Sequence, residues 1–187
     1  MGIYKDVMGT LVRVLAADNI DNSTKQSWQK LIDADASNGG TGSMISVRDK
    51  FDYDCCLYAL LHRELAAANW DVLVAKYSTH KANKVAAIGR LTSHMNSPAP
   101  QLFVYKALTA WAIPKLKGIQ TSKRSTDMIV LPAEFYDINS WDPDGSPERT
   151  RRNWRSGIRK RLEHLEEAAV VHATEIFDAE QIFADAA

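Results

Sequence analysis

The sequence predicts an all-α chain with helix-turn-helix-type elements and little or no sheet. Three observations carry this. Apolar residues recur at spacings of three and four through most segments, the period of a helix with one buried face. Polar, glycine and proline stretches separate those segments and stop the helices. The one run that reads as a strand or as the lead-in to a helix, residues 128–131 (MIVL), is short, so little sheet is expected.

Taken in order, residues 3–17 place Ile3, Val7, Leu11 and Val14 or Leu15 on one face and predict a first helix. Residues 18–22 predict a turn. Ser23 is the expected cap of a helix over 23–36, with Trp28, Leu31 and Ile32 as its apolar side. The glycine-rich stretch 37–43 predicts a surface loop. It lacks the Lys-Ser or Lys-Thr ending of a phosphate-binding loop. A longer helix is expected from Ser46 to about Glu64, with Phe51, Cys55, Tyr58, Leu61 or His62 and Leu65 as its seam, so that Cys55 and Cys56 line the core. Residues 69–78 predict a short helix capped by Asn69. After a turn at 78–80, a second helix is expected over 81–95 with Val85, Ile88, Leu91 and Met95 inward. Its polar residues are Lys81, Lys84, Arg90 and His94, and helix, short turn, basic helix is a helix-turn-helix outline. Pro98 and Pro100 end this unit because proline pushes the preceding residue out of helical geometry.

Residues 101–113 predict another helix, broken at Pro114. A basic connector follows, then one or two helical turns at 132–139 and a strong turn signal at 142–146 (DPDGS). Residues 150–165 then predict a basic helix, which together with 133–141 forms a second helix-turn-helix outline. An acidic helix is expected over 168–187, anchored by Ile176, Phe177, Ile182 and Phe183. The expected organisation is an N-terminal helical segment (1–45), a helical body (46–117) holding the helix-turn-helix of 69–95, and a linker with the C-terminal helix-turn-helix and acidic tail (118–187).

The basic helix is the most informative stretch. Between Arg149 and Arg161 lie seven basic residues and no acidic one. Trp154, Ile158, Leu162 and Leu165 form its apolar seam, while Pro147 and Thr150 are start signals. One face on a core and a cationic flank outside is the form of an element that enters a DNA groove, where arginine holds phosphates and reads guanine. The DNA-binding candidates are Arg149, Arg151, Arg152, Asn153, Arg155, Arg159 and Lys160.

The net charge of zero hides a segregation into blocks. Residues 79–125 hold eight basic residues and no acidic one. Residues 126–148 hold six acidic and no basic residues, and residues 162–187 hold seven acidic and none basic. Such blocks make local fields whatever their sum. From the first basic block, Lys81, Lys84, Arg90, Lys115, Lys117, Lys123 and Arg124 are candidate nucleic-acid contacts. The acidic blocks would shield a basic surface or meet a basic protein partner.

Other classes are disfavoured. No apolar run approaches the roughly 20 residues of a membrane helix, and the first residues are amphipathic, unlike a secretion signal. Adjacent cysteines make a poor structural disulfide, which fits a reducing cytoplasm. The five histidines are scattered without metal-ligand spacing, so no metal or cofactor is expected. Asp52 and Asp54 stand two apart on a helix and point to different faces. His62-Arg63-Glu64 reads as an exposed helical segment, so no enzymatic constellation emerges.

Residues 65–78 (LAAANWDVLVAKYS), followed by a short helix, and the later Trp154-(x)3-Ile158-Arg159-Lys160-Arg161-Leu162-Glu163 resemble phage late-gene antitermination proteins of the Q type, including AlpA-like bacterial relatives. The resemblance covers about residues 46–170 and departs from one branch in lacking zinc-ligand cysteines between the helices. It implies a cytoplasmic factor that binds a promoter-proximal DNA element and joins sigma-containing RNA polymerase paused downstream. The factor would then stay on the elongating enzyme and carry it through terminators by occupying the RNA exit channel. The implied partners are double-stranded DNA, polymerase holoenzyme and nascent RNA, with the residues of the first basic block as candidate contacts to polymerase or RNA. Charge, not motif, makes Glu163, Glu166, Glu167 and Asp178 candidate acidic docking residues. A conventional helix-turn-helix regulator or a phage DNA-packaging protein is the alternative.

Overall fold

A computed structural model describes residues 6–22, 47–115 and 129–183. Among these the fold is all-α, as the periodicity predicts: six α-helices, two 3-10 turns and no strand. The expected helix over 23–36, the loop at 37–43, and Lys117, Lys123 and Arg124 lie outside the described residues. Residues from Ala66 to Val171 form one compact unit, and the described residues up to Leu65 together with those from His172 form another. This grouping is drawn differently from the expected segments, since residues 47–65 fall with the N-terminal helix and not with the helical body.

In the first unit, α1 (Val7–Asn22) packs on α2 (Val47–Glu64). Helix α1 starts later than expected because Asp6 caps it, its carboxylate accepting from the Gly9 N–H at 2.6 Å. The turn expected at 18–22 is helical instead. The buried apolar residues are Leu11, Val14 and Leu15 on α1 and Leu57, Leu61 and Leu65 on or just after α2. Asp54 is buried with them and takes both oxygens to Arg13 Nε, at 3.0 and 2.8 Å. The seam of α2 therefore runs through Asp54, Leu57, Leu61 and Leu65: Leu61 and Leu65 are where they are expected, and Asp54 and Leu57 replace Cys55 and Tyr58 one residue earlier. Cys55 and Cys56 are turned outward and exposed, a correction to their expected core position. The ion pair explains it: a carboxylate with a cationic partner can occupy a seam position that periodicity assigns to an apolar neighbour.

The second unit begins with α3 (Ala67–Tyr77), a connector at Ser78, Thr79 and His80, and α4 (Lys81–His94). Helix α3 starts two residues before the expected Asn69 cap, and its N-cap position is Ala66, with no side-chain cap. Helix α4 is capped by His80, whose Nδ1 accepts from the Asn83 N–H at 3.2 Å. Helix α5 (Gln101–Ala112) packs on α4 and ends before Pro114, which has no N–H to continue it. Residues 129–132 are neither strand nor helix. The 3-10 turns Ala133–Tyr136 and Ile138–Trp141 follow, and then α6 (Glu148–Ala179), 32 residues long.

Two features of this last part differ from expectation. The first arm of the C-terminal helix-turn-helix outline is a pair of 3-10 turns without an α-helix. The basic helix and the acidic tail helix are one continuous element, because no glycine or proline punctuates residues 162–167 and the seam Leu162, Leu165, Ala169, Ala173, Ile176 keeps its period. Thr150 sits inside the first turn of α6, where its N–H reaches the Pro147 carbonyl at 2.9 Å, and does not cap the helix.

Candidate nucleic-acid interface

The N-terminal half of α6 is held by an aromatic core. Phe103 of α5, fully buried, meets Trp141 and Trp154 edge-on at centroid distances of 5.4 and 5.5 Å. Such pairs add about 0.5–1.5 kcal/mol each beyond the area they bury. Trp141 Nε1 donates to the Phe135 carbonyl at 2.7 Å, and the Tyr136 hydroxyl donates to the Ile113 carbonyl at 2.7 Å. Ile158 and Leu162 continue the inward stripe. Ahead of the helix, Gly145 takes a φ of +68°, a left-handed turn conformation that a side chain would disfavour. The Asp142 carboxylate closes this turn by accepting from the N–H groups of Asp144 (3.2 Å) and Ser146 (2.8 Å). Burial pushes the Asp142 carboxyl up. The Ser146 and Asp144 hydrogen bonds and the Arg151 charge outweigh it and hold the group below its usual range.

This scaffold sorts the expected DNA-binding residues. Arg149, Arg152, Asn153, Arg155, Arg159 and Lys160 are exposed, as is Arg161. Arg151 is not presented with them. It is half-buried, its Nε is enclosed with no hydrogen-bond partner among the described residues, and its charge faces Asp142. Position 151 falls on the inward side because it stands three residues before Trp154 and seven before Ile158. Arg152 pairs with Glu148 at 2.6 Å and Arg159 with Glu163 at 2.7 Å, each one turn away along the helix. Such exposed pairs contribute a few tenths of a kcal/mol and open readily. Arg155 lies over the Trp141 ring at 5.5 Å. The stripe opposite the core carries Arg149, Asn153, Ser156 and Lys160 at spacings of four, three and four. Charge alone did not single out Ser156 or the neighbouring Gly157; their spacing from Asn153 is the signal that finds them.

The candidates on α3 to α5 fare differently. The three-residue connector between α3 and α4 keeps the helix-turn-helix outline, but α4 is not a cationic surface. Lys84 turns back onto the connector, where its Nζ donates to the carbonyls of Lys76 (2.9 Å) and Ser78 (3.2 Å). Burial lowers its pKa to about 8. It closes the end of α3 and is not an open contact. Arg90 grips the buried Asp71 through three hydrogen bonds of 2.6 to 3.0 Å, which raises its already high pKa further. Lys81 and Lys115 are exposed. The outward face of α4 is otherwise Ala82, Val85, Ala86, Gly89 and Ser93, small and without charge.

Glu166, from the proposed acidic docking group, is also committed internally. It accepts from the Tyr77 hydroxyl and pairs with Lys76 at 2.9 Å, and Lys76 lies 4.3 Å from the Trp111 ring centroid. Among the described residues no group of three or more His, Cys, Asp or Glu side chains is placed to hold a metal ion, and no helix is long and apolar enough to cross a membrane. Comparison with family models, curated proteins and solved structures yields no match.

Proposed function

We propose that this protein binds double-stranded DNA through the N-terminal half of α6 and acts as a transcription antitermination factor on sigma-containing RNA polymerase. The observation that carries the DNA-binding part is the exposed cationic face of Arg149, Arg152, Arg155, Arg159, Lys160 and Arg161, braced from behind by Phe103, Trp141 and Trp154. From Arg149 to Lys160 this face is about 16 Å long at about 1.5 Å per residue. That matches about five base pairs of groove at about 3.4 Å each. Phosphates would exchange with Glu148 and Glu163 for Arg152 and Arg159 at small cost, because exposed ion pairs are weak. The antitermination part rests on the resemblance of residues 65–78 and 154–163 to Q-type proteins. The small, uncharged stretch of the outward face of α4 between Lys81 and the Asp71-paired Arg90 favours a protein-facing role for the first helix-turn-helix outline.

Two experiments test this. Fluorescence anisotropy on duplex DNA across a salt series should give an affinity falling with a log–log slope of about −4 to −5, for four to six phosphates neutralised. Transcription in vitro, on a template with a promoter, its upstream DNA and an intrinsic terminator, should show readthrough that needs the upstream DNA. A footprint without readthrough would leave a conventional regulator. Absence of both would refute the proposal.

A further inference from the structure

Resting on the DNA-binding reading above, we infer that Asn153 is the base-reading residue of α6, selecting an adenine in the major groove, with Ser156 beside it and the surrounding cations holding phosphates. The sequence alone ranks the arginines first, because arginine is the commonest reader of guanine. The structure assigns most of them elsewhere. Arg151 is turned inward, Arg155 is laid over Trp141, and Arg152 and Arg159 stand on the flank of the helix and not on the stripe opposite the core. The stripe opposite the core has cations only at its ends, Arg149 and Lys160, with the short polar side chains of Asn153 and Ser156 between them.

That order suits a helix lying in a groove. Cations at the ends and flanks meet the two phosphate walls, and short side chains at the centre meet the base edges on the groove floor. Asn153 is exposed, and among the described residues no protein hydrogen bond occupies its amide. Its amide oxygen can accept from adenine N6 while its NH2 donates to adenine N7, a pairing that no other base satisfies. Next to this pair, Gly157 is exposed, and a Cβ built there meets nothing within 4 Å. Nothing in the fold requires glycine at this point of a helix, where it weakens the element. Its lack of a side chain lets the groove come close to the backbone beside Asn153 and Ser156.

The test uses the full chain. Duplexes carrying a randomised segment are selected on the wild-type protein, and affinities are then measured across a salt series for wild type, Asn153→Ala, Lys160→Ala and Gly157→Ala. Asn153→Ala should lower the preference for one adenine by about tenfold and leave the salt slope unchanged. Lys160→Ala should weaken all sequences alike and reduce the slope by about one. Gly157→Ala should raise the melting temperature, since alanine favours helix, yet weaken binding to the selected site. Lost affinity in a more stable protein cannot come from unfolding. If the wild type binds no duplex, the DNA-binding reading falls and this inference with it. If it selects a site and Asn153→Ala keeps the full preference, or if it binds without preference, the assignment of Asn153 is overturned while DNA binding stands.

Discussion

Arg90→Ala separates the two roles that this arginine can be given. On sequence it belongs to a basic block and is a candidate nucleic-acid contact. In the structure it spans α4 and α3 to hold Asp71, a carboxylate 2% exposed, through hydrogen bonds of 2.9, 3.0 and 2.6 Å. Truncation leaves that carboxylate without its counter-charge. Where both partners are buried, breaking such a pair costs about 3–5 kcal/mol. The Arg90 side chain is 54% exposed, so water can enter where it stood and screening reduces the loss. We expect about 2–3 kcal/mol, or a fall in melting temperature of roughly 5–10 °C for a chain of this length. The assay is guanidinium unfolding followed by tryptophan fluorescence. A double variant, Asp71→Leu with Arg90→Met, should recover much of the loss, because an apolar pair of similar volume needs no counter-charge. If Arg90→Ala changes stability by less than about 0.5 kcal/mol, the size of ordinary surface effects, the pair does not hold the two helices. A loss of DNA affinity at unchanged stability would return Arg90 to the nucleic-acid surface.

Two further predictions concern pH and the end of α6. Lys84 sits at about 8 against an ordinary 10.5, so the unfolded chain binds more protons between those values and this group makes stability rise with pH across that window. Below it, the cost of burying the charged amine is fully present. Tyr77 acts in the opposite sense: burial, then the Glu166 hydrogen bond and charge, raise its pKa well above the ordinary 10, so ionisation of the unfolded chain lowers stability above that pH. Denaturant midpoints should therefore climb from about pH 8 to about 10 and turn over beyond, and Lys84→Met should flatten the climb; a wild-type profile that already lacks it contradicts the burial of this amine. At the end of α6, Gln181 takes a φ of 53°, with the Ile182 N–H on the Phe177 carbonyl at 3.0 Å and the Gln181 N–H on that of Asp178 at 3.1 Å. This is a Schellman cap with a side chain at the position that glycine prefers, so Gln181→Gly should stabilise by about 0.5–1 kcal/mol. A destabilised variant in thermal unfolding would show that the glutamine side chain is needed there.

The sequence by itself determined the helical class, because a 3.6-residue period written in apolar residues is a local property that any window reveals. It also determined the cationic stretch of α6 and its seam of Trp154, Ile158 and Leu162. It showed the turn at 142–146, where proline and glycine leave few backbone options. What it left open depended on contacts between distant residues. Asp54 takes a core position on α2, and Cys55 and Cys56 face outward, because Arg13 arrives from 41 residues away. Lys84 and Arg90 look like surface charge on their own helix, but carbonyls at the end of α3 and in the connector, and a buried carboxylate, bind them. Spacing does place Arg151 beside Trp154 and Ile158 and Arg149 opposite them, but a seam drawn from apolar residues alone passes over a charged position that lies within it. Period and composition are read along one element, whereas the partner of a charge is fixed only when another element is packed beside it. Tertiary structure therefore decided which of the many cations remain on the surface.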